Sequence, residues 1–326
     1  MAEVRVDPIG GRRVVIADDR GDRPGAFAAI APQAAIDPSK DPFAEGSEAN
    51  TPPELWALRP DGGPANGPGW QVRAVPNLYP AFASDLPESE VDPNPELFNS
   101  RPANGRHEVI ISSPRSIGSL TDLSAEELAV LIGAWRQRLA AHSESACRHL
   151  FVNEGQAAGA SLPHSHAQLV ATDFVPRWVA AEREAFSSYA ERTNGGKLLE
   201  AILLEEVRRR ERVIAIDDDC VLLAPWASAV AYQMMIVPRD GRERFEADGP
   251  GCSPMLGRAL HMLKERFGAA PPLNLWIRTQ PSGADFWTWR IDILPRLAQP
   301  AGIELGLGLG VNPVAPERAA SELRDS

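Results

Sequence analysis

Tyr232-Gln233-Met234-Met235-Ile236 repeats the pattern of His107-Glu108-Val109-Ile110-Ile111 at a spacing of 125 positions, and Thr288-Trp289-Arg290 follows His164-Ser165-His166 at a spacing of 124. Two agreeing spacings point to an internal duplication, so the chain is expected to build two similar units rather than one continuous pattern. Each unit reads as strands, a helix and strands. In the first, residues 70–75 and 107–112 have the apolar, β-branched character of sheet. Ser124-Ala125-Glu126-Glu127 is a capping-box signature, and Leu128, Leu131, Ile132, Trp135 and Leu139 follow at helical spacing to about His142. Residues 150–153 and 166–172 are extended again. The second unit repeats the order with residues 221–225 and 232–237, a helix carrying Leu256, Leu260, Leu263 and Phe267, then residues 273–278 and 286–294.

The predicted fold is therefore α+β, with two tandem halves, each an antiparallel sheet with a packed helix. A loop-rich N-terminal segment covers residues 1–64, the first half 65–176, a connecting segment 177–212 and the second half 213–326. Proline and glycine cluster repeatedly between Pro24 and Pro102, which marks long ordered loops. In the connecting segment, the run over 205–210 reads as a solvated helix face.

The formal net charge of -11 argues against the basic surface that general nucleic-acid binding needs, so any anionic ligand must be held by a few local groups. Cys147, Cys220 and Cys252 are odd in number and far apart, which fits a reducing, cytoplasmic setting better than a disulfide framework. Residues 1–13 are charged, and no later stretch approaches the ~18 apolar residues of a membrane span. No membrane association is expected.

Chemistry concentrates in Pro163-His164-Ser165-His166-Ala167-Gln168-Leu169-Val170. Same-face neighbours in a strand are about 6.6 Å apart, so His164, His166 and Gln168 are expected on one face with Ala167 and Leu169 packed behind. Upstream, the small residues of 155–161 let backbone N–H groups approach an anion closely. A neutral imidazole beside such a loop can attack a phosphorus, hold the nucleotidyl group as a phosphoramidate and release it to a second acceptor. Taken alone, a His-x-His pair on a strand more often marks satisfied polar residues or metal ligands.

The run Asn153-Glu154-Gly155 through Gly159-Ala160-Ser161-Leu162-Pro163-His164-Ser165-His166-Ala167-Gln168 resembles the Asn-x-Gly, Gly-x-Ser-x-Pro-His-x-His-x-Gln signature of the galactose-1-phosphate uridylyltransferases, members of the histidine-triad superfamily. The resemblance extends along most of the chain. It includes Asp7-Pro8-Ile9-Gly10-Gly11-Arg12, Arg20-Gly21-Asp22-Arg23-Pro24, the nucleotide loop Val75-Pro76-Asn77-Leu78-Tyr79-Pro80, the run Asp292-Ile293-Leu294-Pro295-Arg296-Leu297, and the C-terminal sugar loop Ala301-Gly302-Ile303-Glu304.

This resemblance implies histidine-triad-like halves, with the active site in the first and the N-terminal segment reaching the nucleotide. It makes His166 the nucleophile and Gln168 the hydrogen-bonding partner of the transferred phosphoryl group. Asn153, Gly159 and Ser161 would lie at the phosphates, Arg23 and Asn77 at the nucleotide, and Glu304 at sugar hydroxyls. The implied activity is nucleotidyl transfer from a nucleotide sugar, UDP-hexose first, to a sugar 1-phosphate or phosphate acceptor, in a homodimer that shares its sites. Leu297-Ala298-Gln299-Pro300 does not match the uridylyltransferase sugar loop closely, which leaves open a phosphorylase of ADP-sugars or dinucleoside polyphosphates. A catalytically silent nucleotide-binding relative is the remaining alternative. Gln168 stands where hydrolase branches carry a third histidine, which disfavours hydrolysis.

Many members bind zinc through a Cys-Pro-x-Cys pair, a downstream histidine and the first histidine of the motif. Asp41-Pro42-Phe43-Ala44 and Ser116 occupy those places here, and only His164 remains. A second metal site of some members, a glutamate with a His-x-His pair, reads Glu182 with Thr288-Trp289-Arg290. One histidine and a carboxylate are too few for a closed zinc site. The expectation is therefore no metal and no cofactor, with Asp41 accepting a hydrogen bond from His164 and Arg290 pairing with Glu182.

Overall fold

A computed structural model describes every residue except Met1, Pro24, Ala26, Ala28, Ser89, Glu90, Val91, Pro93, Pro95, Asp248 and Ser326. Pro24, which closes the second N-terminal motif, thus lies outside the described residues. In chain order the elements are β1 (Glu3–Val6), β2 (Arg13–Ile16), β3 (Trp56–Leu58), β4 (Val72–Pro76), β5 (Gly105–Ile111), α1 (Ala125–Ala140), β6 (Cys147–Glu154) and β7 (His166–Thr172). The chain continues through α2 (Arg177–Arg192), α3 (Leu198–Arg209), β8 (Val213–Ile216), β9 (Cys220–Leu223), β10 (Met234–Pro238), α4 (Ser253–Phe267), β11 (Leu273–Arg278), β12 (Arg290–Pro295), α5 (Gly302–Leu307), β13 (Gly310–Asn312) and α6 (Pro316–Arg324).

Ser124 starts α1 as its residue pattern requires. Its hydroxyl accepts the Glu127 N–H at 3.2 Å, and the Glu127 carboxylate accepts the Ser124 N–H at 2.8 Å, a cap that contributes about 1 kcal/mol. The apolar stripe Leu128, Leu131, Ile132, Trp135 and Leu139 is buried against the sheet. On α4, Leu256, Leu260 and Leu263 do the same, and both helices belong to one hydrophobic core.

The strands form a ten-stranded antiparallel sheet in the order β3-β4-β5-β7-β6-β11-β12-β10-β9-β8. The succession β5-β7-β6 in the first half matches β10-β12-β11 in the second. The pairs that share the helical face are Ile110 with Ala167 and Ile236 with Ile291, so the ladders are displaced by one position from the repeat spacing of 125. The halves meet edge to edge where Asn153 pairs with Asn274 and Phe151 with Trp276, so both contribute to one sheet.

The two faces of that sheet are covered differently. α1 and α4 bury one face. On the other, α2 and α3 cover the second half with Val179, Phe186, Leu199 and Leu203. Over the first half the cover is looser: Phe43 and Trp70 pack on Val75, Val109 and Ile111, leaving room beside β7.

The structure corrects three expectations. The connecting segment is a helical pair with its own core, and Glu206, expected on a solvated face, is 4% exposed and hydrogen-bonded by Arg212 at 3.0 Å. Its neighbours Glu205, Arg208 and Arg209 are paired at the surface, as a solvated face requires. The irregular start instead yields β1 and β2, which join β13 in a separate three-stranded sheet. His164 lies outside the strand expected to carry it, because β7 begins at His166, yet its ring stays beside His166, with Phe43 edge-on to both at 5.9 and 5.3 Å. The Ser165 N–H bonds the Ile117 carbonyl at 2.7 Å, which holds the chain off the ladder before His166.

Candidate active site

β7 alternates as its residue types dictate. Ala167, Leu169 and Ala171 are buried in the helical core, while His166 and Gln168 face the opposite way into a cavity of about 530 Å3. That volume is in the range of small-ligand sites. Its walls include Phe43, Asn50, Val75, Asn77, Tyr79, His107, Ser161 and Leu162.

His166 donates its Nδ1–H to the His164 carbonyl at 2.7 Å. Burial holds its pKa below the usual histidine range, and the ring is neutral around pH 7. A neutral ring protonated at Nδ1 leaves the Nε2 lone pair free, which is the form a nucleophile needs. The Phe43 ring meets His166 edge-on at 5.3 Å and limits its rotation.

Gln168 has its Oε1 2.9 Å from His107 Nε2 and 3.4 Å from Asn77 Nδ2. Across the sheet, Asn153 Oδ1 accepts from Asn274 Nδ2 at 2.8 Å, and the same Asn274 amide donates to the Ala158 carbonyl at 2.8 Å. Asn153 then leads into a tight turn. Gly155 has φ of 78°, and a Cβ there would meet Pro272 at 3.0 Å; Gly159 has φ of 88°. Both positions suit glycine on backbone grounds, and Gly155 also on space.

Glu154 lies under this turn, 2% exposed, accepting from the Leu120 N–H at 2.6 Å and from the Ser119 and Ser165 hydroxyls at 3.0 and 3.1 Å. Burial opposes the charge more than these donors favour it, and its carboxyl is pushed up to about 7 from an ordinary 4.5. The folded protein thus binds this proton more tightly than the unfolded chain does. Its contribution to stability rises as pH falls from about 7 to 4.5 and is lost as pH rises through 7. Replacing it with isosteric glutamine is expected to flatten that dependence, which urea titrations of both proteins at pH 5 and pH 8 would measure. An unchanged difference between the two pH values would rule Glu154 out as its source.

A profile of the galactose-1-phosphate uridyl transferase N-terminal domain matches residues 1–176. The chain belongs to the galactose-1-phosphate uridylyltransferase family. An ADP-glucose phosphorylase of Arabidopsis thaliana is 30% identical over 335 residues, covering 99% of this chain and 92% of that protein. A probable galactose-1-phosphate uridylyltransferase of Drosophila melanogaster is 25% identical, covering 98% of this chain and 94% of that one. The crystal structure of an Arabidopsis thaliana ADP-glucose phosphorylase with bound ADP-glucose superposes with a TM-score of 0.80 at 27% identity, over 100% of this chain and 99% of that chain. Membership makes this protein an enzyme of nucleotidyltransferase or phosphorylase type.

The family signature converges in space within this chain. His166, Gln168, Asn77 and Ser161 line one cavity, and Asn153 and Gly159 stand at the turn between β6 and β7. Arg23 and Glu304 do not line it. Arg23 is exposed, and Glu304 accepts the Ala301 N–H at 2.9 Å at the start of its own short helix.

The positions of the family's metals are filled by other bonds. His164 Nδ1 lies 2.6 Å from Asp41 Oδ2, and its Nε2 lies 3.0 Å from the Ser113 carbonyl. Each ring nitrogen already faces an oxygen, so neither is turned toward an open coordination position. Ser116 also donates to Asp41 at 2.6 Å, and Phe43 N–H at 3.0 Å. Burial raises the Asp41 carboxyl, but Ser116 and His164 outweigh it and hold it below its ordinary value. At the second position, Arg290 Nη2 contacts Glu182 at 2.9 Å and Arg290 Nε contacts Asp292 at 3.1 Å. A guanidinium has no lone pair to offer, so these residues do not fit the family's metals. Among the described residues no group of three or more His, Cys, Asp or Glu is placed to hold an ion.

Two residues here went unassigned in the sequence. His107 entered only as part of a repeat, although the alternation His107, Val109, Ile111 puts an imidazole on the same face as the cavity. Asn274 carried no signal, since its contact with Asn153 spans 121 positions and depends on how the halves join.

Proposed function

We propose that this enzyme transfers a nucleoside monophosphate from a nucleotide sugar to a phosphate acceptor through a covalent nucleotidyl-His166, with an ADP-sugar as donor and inorganic phosphate as acceptor. The observation that carries the chemistry is the neutral His166, whose bare Nε2 faces the cavity beside the Gln168 amide. Nε2 attacks the α-phosphorus, the bond to the bridging oxygen breaks, and sugar 1-phosphate leaves. A phosphate oxygen then attacks the phosphoramidate, the P–N bond breaks, and a nucleoside diphosphate departs.

In this reading Gln168 donates to a non-bridging oxygen of the transferred group. Asn153, Ser161 and the backbone at Gly159 hold the phosphates, and Asn77 meets the nucleotide. Arg23 and Glu304, away from the cavity of their own chain, would reach the nucleotide and sugar of a second copy in a homodimer. A cytoplasmic setting is part of the proposal, resting on three buried, unbridged cysteines.

The adenine choice draws support from the similarity to the Arabidopsis ADP-glucose phosphorylase along nearly the whole of both chains. A second reading, uridylyl exchange between UDP-hexose and hexose 1-phosphate, draws on the uridylyltransferase relatives. ADP-, UDP- and GDP-glucose, each with phosphate or with galactose 1-phosphate, separate the two. Release of ADP and glucose 1-phosphate from ADP-glucose and phosphate is the expected result. Turnover confined to UDP-glucose with galactose 1-phosphate would favour the second reading, and no turnover with any pair would overturn both.

A further inference from the structure

We infer that His107 is a positioning residue that sets which end of the Gln168 carboxamide faces the transferred phosphoryl group; this rests on the reaction proposed above. Its Nδ1 lies 3.0 Å from the backbone nitrogen of Ala81, and its Nε2 lies 2.9 Å from Gln168 Oε1. A backbone N–H can only donate, so Nδ1 is the bare nitrogen of a neutral ring. Nε2 then carries the proton and donates it to the Gln168 oxygen. The 3.2 Å approach of Asn77 Nδ2 to His107 Nε2 is consequently a contact between two donors, not a bond. Asn77 is oriented independently, because its Oδ1 accepts the Tyr79 N–H at 2.9 Å, which turns Nδ2 toward the same Gln168 oxygen at 3.4 Å.

Two donors thus converge on Oε1, and the NH2 of Gln168 is left toward His166 and the cavity. The opposite amide orientation would set NH2 against the His107 N–H and present oxygen lone pairs to a phosphoryl group whose charge is redistributing. That error weakens the transition state more than the ground state, so it should appear in turnover rather than in donor binding. The Ala81 bond serves a different end, since it ties down the loop after β4 that walls the cavity. Each ring nitrogen therefore has a separable task.

Three substitutions part them. His107→Gln keeps a donor near the Nε2 position, His107→Asn keeps an acceptor near Nδ1, and His107→Phe keeps neither. With the native chain and its best donor, kcat is expected to fall about 10- to 100-fold in His107→Asn and His107→Phe with donor KM nearly unchanged, while His107→Gln restores most of the turnover. Equal activity of the Gln and Asn variants, or a loss confined to KM, would overturn the assignment and leave His107 as a loop anchor. Thermal melts check that each variant is folded. If the Phe variant is not, the comparison of Gln with Asn carries the test alone. An active wild type with unimpaired His107→Asn and His107→Phe would overturn this inference only. A wild type inert with every donor would overturn the proposed reaction, and the inference with it.

Discussion

Mixed with its donor in the absence of acceptor, the protein is expected to gain the mass of one nucleotidyl group, a nucleoside monophosphate less water, on His166, in a bond that survives alkali and breaks in acid. The geometry behind this is specific. Nδ1 is committed to the His164 carbonyl, and burial keeps the ring neutral, so Nε2 remains nucleophilic at lower pH than in a solvent-exposed histidine. Formation of the adduct should accordingly stay independent of pH down through the ordinary histidine value of about 6.5. His166→Gly should lower turnover on the order of 10⁴-fold, because removing a nucleophile removes the covalent route altogether. Free imidazole fits the space vacated and should restore part of it. Intact-mass and peptide-level mass spectrometry check the adduct. Steady turnover with no adduct would mean direct transfer between donor and acceptor.

The second large effect is on stability. Glu182 is 8% exposed and receives Arg290 at 2.9 Å and Arg278 at 3.5 Å, while Arg290 also holds Asp292. Burial raises the Glu182 carboxyl, and the two guanidinium groups together bring it below its ordinary value. A depressed carboxylate contributes stability that is complete above its unfolded value of about 4.5 and is lost as pH falls through the folded one. Glu182→Gln should cost about 3–5 kcal/mol, since it leaves buried cations without their shared partner. A charge swap would place an arginine beside Arg278 and a glutamate beside Asp292, so it cannot isolate the pair. The cycle of Glu182→Gln, Arg290→Met and the double variant can, and the double should cost less than the two singles together by about 1–3 kcal/mol. Additive losses in urea titrations would show that the contact contributes no coupling. These variants leave His166 and Gln168 in place, so activity of the folded fraction provides an independent check.

Local pattern made α1 and β7 legible. A cap, a stripe of apolar residues and an alternation are all written within a dozen positions, and the structure follows them nearly residue for residue. The repeat spacing located the strands but not their register, since the pairs on the helical face are Ile110 with Ala167 and Ile236 with Ile291. His164 stands just ahead of β7, and the expected bond that fixes its ring comes from Asp41, 123 positions away. β1, β2 and β13 are three or four residues long and meet across nearly the whole chain, so none carries a period of its own. In α2 and α3 charged residues hide the apolar positions, and Phe186, Leu199 and Leu203 become a core only once the sheet beneath them exists. Of the site, His166 and Gln168 were visible as a motif. The bonds that orient them came from other strands and could not be.

The N-terminal-domain profile stops at residue 176, but the sheet that carries the cavity does not. The outer edge of β6 is occupied by β11, and Asn274 on that strand grips both Asn153 and the Ala158 carbonyl. The second half presents Arg290 and Asp292 where the first presents His166 and Gln168, and the two are bonded to each other. It still steadies the turn after β6 through Asn274 and shields a strand edge that would otherwise invite pairing with a stranger. A substitution at Asn274 is thus felt at Asn153 and the turn beside the cavity, from the far side of the seam.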